Sequence, residues 1–438
     1  MANEFKTSRK TELVALRAAE AAGYLTIGSA KYFKDQLKGK RNGTTFEFVI
    51  PDVGTFARGI DISAGGTPDL KEKKVAKQIL AENVKVATNI LEKVTDVNWD
   101  KEVAKPNGKL LINGTVKDAI DGVKGQTIDG VTVTDYDGDW GDTNTAFAGI
   151  GYGPLTAAQN YLASVSDEAQ YAFINPLINA KLSETGDSFK PSSADPIFSK
   201  GLLGKLGETE YRSCQFMPLV SVSTALATAM ATVDSITYVD NGDKTATITL
   251  KASGSAIAVK IPKGFVIWIN GLYATDLVGM RTSALKAFVA VEDGANNGEM
   301  IVKALTAEDL VGRGNKLVCK ADGSALGASK SAAETALAGM VTGVGDVKFL
   351  EAGNWFGGQI RVDGAYEFEM LDEIDASNAD TERADNEGVI VFQNRAIDVL
   401  KGSNVTRWSA LVMAGVVEPR CVATVLVKDA DTNKVHLV

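Results

Sequence analysis

The sequence predicts an α+β fold in which a mixed body of helices and strands carries an inserted antiparallel β-module. Between residues 236 and 318, short runs rich in β-branched or aromatic residues are separated by turn residues. The strand-like stretches on either side, residues 210–222 and 355–369, lack this regular spacing, which is why the module reads as an insertion. The runs of the module are TATITL (245–250), AIAVKI (256–261), FVIWI (265–269), AFVAV (287–291) and MIVKAL (300–305).

Composition places the chain among globular proteins and argues against nucleic-acid binding. Its 438 residues suffice for two or three domains, with 45% hydrophobic and 23% charged residues. A formal net charge of −9 disfavours a surface that grips nucleic acid, because such binding uses lysine and arginine to displace counterions from phosphates. A protein that only lies near DNA is compatible with this charge. We find no signal sequence and no run of about 18 apolar residues, so we expect synthesis in the cytosol and no membrane contact.

Histidine and cysteine are scarce and dispersed. The one histidine is His436, and the cysteines Cys214, Cys319 and Cys421 stand apart without a C-x-x-C pair. Histidine is the usual acid–base residue near neutral pH and a common metal ligand, so Ser-His-Asp catalysis, Cys-His catalysis and histidine-bound metals are excluded. We therefore predict that the protein is not an enzyme and has no catalytic, cofactor-binding or metal-binding residues.

The first hundred residues predict a helix followed by a long hairpin. Apolar residues recur at helical spacing over residues 8–24, as in a helix that packs on its own body or an arm that docks on a neighbour. Strand patterns at residues 45–50 and 84–97 are joined by a largely polar, partly glycine-rich stretch. Because an isolated hairpin is marginally stable, this projection needs a partner surface.

The remaining body predicts alternating helices and strands around the module. Pro106-Asn-Gly is expected to interrupt or shorten the helix that follows it. The predicted helices are residues 110–123, 154–165 and 395–401, with residues 321–340 a helix or linker. The predicted strands are residues 170–175, 211–222, 353–370, 388–393, 408–414, 416–417 and 421–427, the first of which ends at Asn175-Pro176. Residues 189–207 and the acidic run 372–387 are predicted loops.

Two motifs have some features of ligand sites but are assigned to ordinary loops. Asp135-Tyr-Asp-Gly-Asp-Trp-Gly-Asp alternates carboxylates, but an EF-hand calcium loop needs glycine and glutamate where Trp140 and Ala146 stand. Gly149-Ile-Gly-Tyr-Gly-Pro precedes a helix, yet it lacks the lysine of a P-loop and the G-x-G-x-x-G spacing of a dinucleotide site. The carboxylates of residues 372–387 read as a solvated surface.

The order of these parts resembles the major capsid proteins of tailed bacteriophages with the HK97 fold, and within them the P22-like coat proteins. The local similarities are Tyr171-Ala-Phe-Ile-Asn-Pro, Lys263-Gly-Phe-Val-Ile-Trp-Ile-Asn-Gly-Leu, Gln393-Asn-Arg-Ala-Ile-Asp-Val-Leu and Trp408-Ser-Ala-Leu-Val-Met-Ala-Gly-Val. The resemblance implies an N-terminal arm, an extended hairpin loop, a spine helix and a central α/β domain, with an inserted antiparallel, β-barrel-like domain. No lysine–asparagine cross-linking pair of the kind known in such shells is identified.

The resemblance also implies a domain division and a function. The implied domains are the arm (1–44), the extended loop (45–98), the peripheral and axial core (99–222 and 346–438) and the inserted β-rich domain (223–345). The implied function is self-assembly, as hexamers and pentamers, into the icosahedral head shell that encloses double-stranded DNA. The implied assembly partners are scaffolding protein and portal, and packaged DNA is implied to lie close without tight binding. The implied location is the virion, and the implied place of assembly is the host cytoplasm.

Two other functions stay open at this stage. The β-rich middle is also compatible with another phage or surface structural protein, such as a tail-tube, decoration or surface-layer subunit. A hydrolase or carbohydrate-binding enzyme that works with carboxylates alone would need a cleft with two carboxylates about 5–10 Å apart.

Overall fold

The computed structural model describes much of the chain, including the whole module. The described residues are 2–23, 29–30, 45–51, 72–78, 80–89, 100–121, 127–128, 131–132, 143–147, 152–178, 204–206, 209–217, 219–370, 381–386, 388–398 and 403–428. Helices and strands alternate along them, as the α+β prediction requires.

Six α-helices are numbered in chain order among the described residues. They are α1 (Ala2–Ala21), α2 (Lys105–Asp121), α3 (Tyr152–Val165), α4 (Thr224–Met230), α5 (Ala307–Val311) and α6 (Lys330–Ala338). A π-helical turn (Asp100–Ala104) precedes α2, and a 3₁₀ turn (Pro419–Cys421) precedes the last strand.

The strands are numbered in the same way. They are β1 (Ser29–Ala30), β2 (Thr45–Pro51), β3 (Glu72–Gln78), β4 (Leu80–Asn89), β5 (Thr127–Ile128), β6 (Val131–Thr132), β7 (Thr143–Phe147), β8 (Gln170–Ile174), β9 (Gly204–Leu206), β10 (Thr209–Ser213), β11 (Leu219–Val222), β12 (Ser235–Asp240), β13 (Thr245–Ala252), β14 (Ser255–Ala256), β15 (Val266–Thr275), β16 (Arg281–Val289), β17 (Glu299–Lys303), β18 (Val318–Cys319), β19 (Val347–Phe349), β20 (Gly353–Val362), β21 (Tyr366–Met370), β22 (Thr381–Asn386), β23 (Val389–Asp398), β24 (Ser403–Val416) and β25 (Val422–Lys428).

The chain divides into two compact units, each formed by separate stretches of sequence. The first unit comprises Met1–Phe46, Ala76–Val133 and Tyr366–Gly415, and the second comprises Glu47–Val75, Thr134–Ala365 and Val416–Val438. The predicted division into arm, loop, core and inserted domain follows chain order and stays a prediction.

The first unit is built on a six-stranded sheet. Its strand order is β1-β21-β24-β23-β22, with β4 paired to β24. Helix α1 packs against α2 and against β22 and β23, and it buries Val14, Ala15 and Ala18 completely. Of the two interpretations of this helix, the structure therefore shows packing on its own unit.

Pro106 does not interrupt the second helix, contrary to the sequence prediction. It lies in the first turn of α2, which directly follows the π-helical turn, and proline is tolerated in the first turn of an α-helix. The helix consequently begins five residues before the predicted start at residue 110 and ends at Asp121.

The second unit contains a seven-stranded sheet. Its order is β7-β25-β20-β8-β10-β9, with β11 paired to β20. Neighbours β8 and β10 run parallel, as do β7 and β25, whereas β20 is antiparallel to both β8 and β25. Helix α3 packs against this sheet through Leu155, Ala158 and Leu162, each at most 1% exposed.

The module contains two four-stranded sheets rather than a closed barrel. One has the order β12-β13-β14 with β17 paired to β13, and the other has β16-β15-β18 with β19 paired to β15. Among the described residues no closed barrel forms, which corrects the predicted barrel-like shape. Both sheets contribute to one hydrophobic core, and that core also includes Val220, Trp355 and Leu426 of the seven-stranded sheet.

Three local predictions are wrong. The sequence predicts a helix at residues 395–401, but Arg395 to Asp398 extend strand β23 and pair with β24. It predicts a strand over the run 256–261, but only Ser255–Ala256 is one. It predicts a loop over the acidic run 372–387, but that run contains strand β22, and residues 371–380 lie outside the described residues.

The strand that pairs with β2 comes earlier in the sequence than predicted. Strand β2 pairs with β3, which begins at the charged Glu72, whereas β4 joins the sheet of the first unit beside β24. The predicted return strand 84–97 therefore overlaps a body strand. Residues 52–71 lie outside the described residues.

Acid should weaken the contact between α6 and β12. Lys330 Nζ donates to Asp240 Oδ2. Burial acts to raise the pKa of Asp240, but the bonds from Lys330 and the Gly242 amide outweigh it, so this pKa lies below its ordinary value of 3.8. A depressed carboxyl pKa contributes stability above the unfolded value, and that contribution is lost as pH falls through the folded value. Asp240→Asn should therefore lower the free energy of unfolding by about 0.5–1 kcal/mol near neutral pH.

The same difference should shrink as the pH is lowered from about 7 to about 3, because the contribution is lost as pH falls through the folded-state pKa, which lies below 3.8. Urea unfolding of the unchanged protein and of Asp240→Asn at both pH values measures the difference in the free energy of unfolding. The control is Asp167→Asn, which removes one exposed carboxylate. An equal cost at both pH values would contradict the assignment.

Candidate functional site

The module is inserted at a pair of hydrogen-bonded neighbouring strands. The chain leaves the seven-stranded sheet after Val222 of β11 and returns at Gly353 of β20, and these two residues pair directly in the antiparallel ladder. Gly353 has φ +138°, a backbone conformation that favours glycine. Because the exit and the return are adjacent, residues 223–352 extend from the sheet without opening it.

A buried ion pair fastens this module to the C-terminal segment. Arg420 is 2% exposed, and its Nε and Nη2 each donate to the Glu418 carboxylate at 2.7 Å. Its Nη1 donates to the backbone oxygens of Asp276 at 2.8 Å and of Gly314 at 2.6 Å. The Arg420 guanidinium thus connects the 3₁₀ turn before β25 to two separate loops of the module. Its positive charge is balanced by the bidentate Glu418 carboxylate.

The loop held by Arg420 is a tight hairpin turn between β15 and β16. Asp276 Oδ1 accepts from the amides of Val278 at 3.0 Å and Met280 at 2.8 Å. Gly279 has φ +76°, and a Cβ there would lie 2.3 Å from the Arg313 carbonyl oxygen. Asp276 and Gly279 therefore fix the conformation of the turn. The side chains of Val278 and Met280 in this turn are each more than half exposed to solvent.

A second buried polar contact holds α1 in the first unit. Thr11 is 1% exposed, and its Oγ1 lies 2.5 Å from Gln393 Oε1 and 3.0 Å from Glu382 Oε2. Gly108 of α2 lets the two helices approach closely, because a Cβ at this position would lie 2.8 Å from the Val14 carbonyl oxygen. Close packing and a buried hydroxyl contact together fix α1 on its unit.

The motifs with features of ligand sites lie largely outside the described residues. Asp135 to Asp142 and residues 148–151 of the glycine run lie outside the described residues. Glu382 and Asp385 lie in strand β22, and Glu382 contacts Thr11. Within the described part of the chain, no group of three or more His, Cys, Asp or Glu side chains is placed to hold a metal ion.

The three cysteines and Trp355 belong to the core. Cys214, Cys319 and Cys421 are buried and are not joined in disulfides, and burial raises the pKa of Cys319. Trp355 is 4% exposed, and its Nε1 donates to the Glu351 carbonyl oxygen at 2.9 Å. No helix among the described residues is long and apolar enough to cross a membrane.

Comparison with solved structures finds phage proteins over most of the chain. A structure titled "Mycobacterium phage Che8" has 8% sequence identity and a TM-score of 0.40, covering 91% of this chain and 89% of that one. The capsid of Ralstonia phage GP4 has 9% identity and a TM-score of 0.40, covering 90% and 86%. The capsid structure of the cyanophage P-SCSP1u has 10% identity and a TM-score of 0.36, covering 89% and 84%.

No protein-family model matches the sequence, and no curated protein matches it.

Proposed function

We propose that this chain is the major capsid subunit of a tailed phage and self-assembles into the icosahedral shell around double-stranded DNA. It acts as a structural protein, not an enzyme. The proposed fold is HK97-like, with α1 in the arm, β2 and β3 in the extended loop, α2 as the spine helix and the seven-stranded sheet in the central domain. Residues 223–352 form the insertion of the P22-like branch.

The order of parts carries the proposal. A helix, a hairpin, a long helix and a mixed sheet follow one another, and the sheet is interrupted between paired strands at Val222 and Gly353. This order supports the proposal, because it matches the layout that the sequence resemblance implies, including an insertion at about this point of the chain.

A shell role also accounts for the hairpin and the charge. Strands β2 and β3 form a two-stranded sheet of their own, and such a sheet needs a partner surface to be stable. A neighbouring subunit in a hexamer or pentamer provides that surface. The net charge of −9 keeps the subunit from gripping the packaged DNA. Scaffolding protein and portal serve as partners during assembly in the host cytoplasm.

Electron microscopy of the purified full-length chain tests the proposal. The chain is produced alone and together with the genes that neighbour its own, since assembly of such shells uses a scaffolding protein. Closed round particles are expected in at least the second case. Tubes would instead indicate a tail-tube subunit, and flat arrays a surface-layer subunit.

Deletion of residues 51–68 should abolish or derange the particles while leaving the subunit folded. Circular dichroism and size-exclusion chromatography of the deletion variant check that the subunit is folded. The exposed substitution Asp167→Asn serves as the assembly-competent control. A monodisperse monomer under both production conditions would refute the shell function, and normal particles from the deletion variant would refute the role of the hairpin.

A further inference from the structure

The module contains three Asn-Gly pairs whose surroundings differ. They are Asn241-Gly242, Asn270-Gly271 and Asn297-Gly298. In such a pair the glycine nitrogen can attack the side-chain carbonyl carbon of the asparagine, because glycine has no Cβ that shields the nitrogen. The attack requires a side chain that can turn towards the main chain and a glycine N–H that is not held in a hydrogen bond. The structure therefore distinguishes the three pairs, although their dipeptide sequence is the same.

Asn270 lies in an irregular part of β15 and meets both requirements. The pairing of β15 with β16 shifts register between Trp268 and Tyr273, and neither Asn270 nor Gly271 pairs with a residue of any described strand. The Asn270 backbone nitrogen donates to the Asp346 carbonyl oxygen at 2.8 Å, whereas its exposed side chain makes no hydrogen bond to a described residue. The Gly271 N–H is therefore outside the β-ladders, and the Asn270 side chain can turn towards it.

Asn241 fails both requirements, although it is exposed. Its side-chain nitrogen donates to Thr245 Oγ1 at 3.0 Å, and its side-chain oxygen accepts from Thr247 Oγ1 at 3.1 Å. The Gly242 nitrogen donates to Asp240 Oδ1 at 2.8 Å. Three hydrogen bonds would therefore have to break before this pair could react.

Asn297 meets only the first requirement. Its side chain is exposed and makes no hydrogen bond to a described residue. The Gly298 nitrogen, however, donates to the Val259 carbonyl oxygen at 2.8 Å. Asn270 and Asn297 thus form a matched pair within one molecule, because both side chains are exposed and only the bonding of the following glycine differs.

We propose that Asn270 deamidates spontaneously, in preference to Asn241 and Asn297. The Gly271 nitrogen loses its proton to water and attacks Asn270 Cγ, so a new N–Cγ bond forms and the Cγ–Nδ2 bond breaks. The Nδ2 group takes up a proton and leaves as ammonia. Water then hydrolyses the resulting five-membered succinimide at either carbonyl, which gives aspartate or isoaspartate. Water is the only co-reactant and the residues belong to the module, so the reaction is independent of the proposed shell function.

Peptide mass spectrometry of the purified full-length chain tests the proposal. The chain is incubated in mildly alkaline buffer, which favours loss of the glycine proton, and the conversion of each asparagine to aspartate or isoaspartate is followed with time. Asn270 is expected to react about fivefold faster than Asn297, where one hydrogen bond must break, and about tenfold or more faster than Asn241, where three must break. In concentrated urea, which removes these bonds, the three rates should become similar.

Two variants make the test specific. Asn270→Gln should nearly abolish conversion at this position, because the longer side chain would have to close a six-membered ring. Asp240→Ala removes the acceptor of the Gly242 N–H and should speed the reaction at Asn241 about two- to fivefold, with no change at Asn270. The proposal would be overturned by equal rates at the three sites in the folded chain, by a faster rate at Asn241 or Asn297, by the same differences in urea, or by no response of Asn241 to Asp240→Ala.

Discussion

Replacing Arg420 with alanine is expected to lower the free energy of unfolding by about 3–5 kcal/mol, because breaking a buried pair leaves one charge without compensation. The Glu418 carboxylate would lose two bonds of 2.7 Å, and the carbonyl oxygens of Asp276 and Gly314 would lose their Arg420 donor. Since a domain is stable by only about 5–15 kcal/mol, this loss is large. Urea unfolding of the purified subunit, followed by circular dichroism, measures it.

Matched variants separate the geometry of this contact from its charge. Arg420→Lys keeps the charge but loses the planar fork that reaches a carboxylate and two carbonyls together, so it should recover only part of the loss. Arg383→Ala removes an exposed arginine 3.4 Å from Asp385 and should cost less than about 1 kcal/mol. A loss in Arg420→Ala no larger than that in Arg383→Ala would show that the buried pair does not hold the module.

The sequence predicts the elements whose pattern is strong. The α+β class, helix 154–165 and strand 170–175 are predicted from the sequence pattern, and the structure has α3 at Tyr152–Val165 and β8 at Gln170–Ile174. Four of the five runs of the module correspond to β13, β15, β16 and β17. In these segments local propensity and tertiary packing favour the same backbone conformation.

The wrong predictions arise where tertiary pairing outweighs local pattern. Residues 395–398 have helical composition, but Arg395 and Ile397 pair with Thr406 and Asn404 of β24. Strand β3 begins with charged residues, so its pairing with β2 is not visible as an apolar alternation. The run 256–261 buries Ile257 and Ile261 through an irregular backbone, in which Gly298 N donates to the Val259 carbonyl oxygen.

The buried arginine escapes sequence-based prediction for a different reason. Glu418 and Arg420 flank Pro419 inside an otherwise apolar stretch, and that isolated charge pair is the available signal. Its partners, the carbonyl oxygens of Asp276 and Gly314, are more than a hundred residues away in the chain. Backbone acceptors carry no residue signature, so a sequence pattern does not reveal them.

The substitution Gly108→Ala should destabilise the first unit, although replacing glycine with alanine usually stabilises a helix. Glycine to alanine in a helix interior normally stabilises by about 1 kcal/mol. Here the new Cβ would lie 2.8 Å from the Val14 carbonyl oxygen, 2.9 Å from Arg17 Cβ and 3.0 Å from the Ala18 amide nitrogen. Two of these atoms are backbone, so α1 has to move, at a cost of about 1–3 kcal/mol.

The sign of the change in the free energy of unfolding shows whether the steric clash or the helix propensity prevails. Gly108→Val should cost more than Gly108→Ala, because its branched side chain meets the same backbone atoms, and both should lower the urea midpoint of unfolding. Lys109→Ala, an exposed neighbour in α2, should change the free energy of unfolding by no more than about 0.5 kcal/mol. A higher midpoint for Gly108→Ala would mean that ordinary helix propensity prevails and that α1 does not pack against α2 at this distance. In that case the helix would be free to act as an arm towards a neighbouring subunit, the other interpretation that its sequence allows.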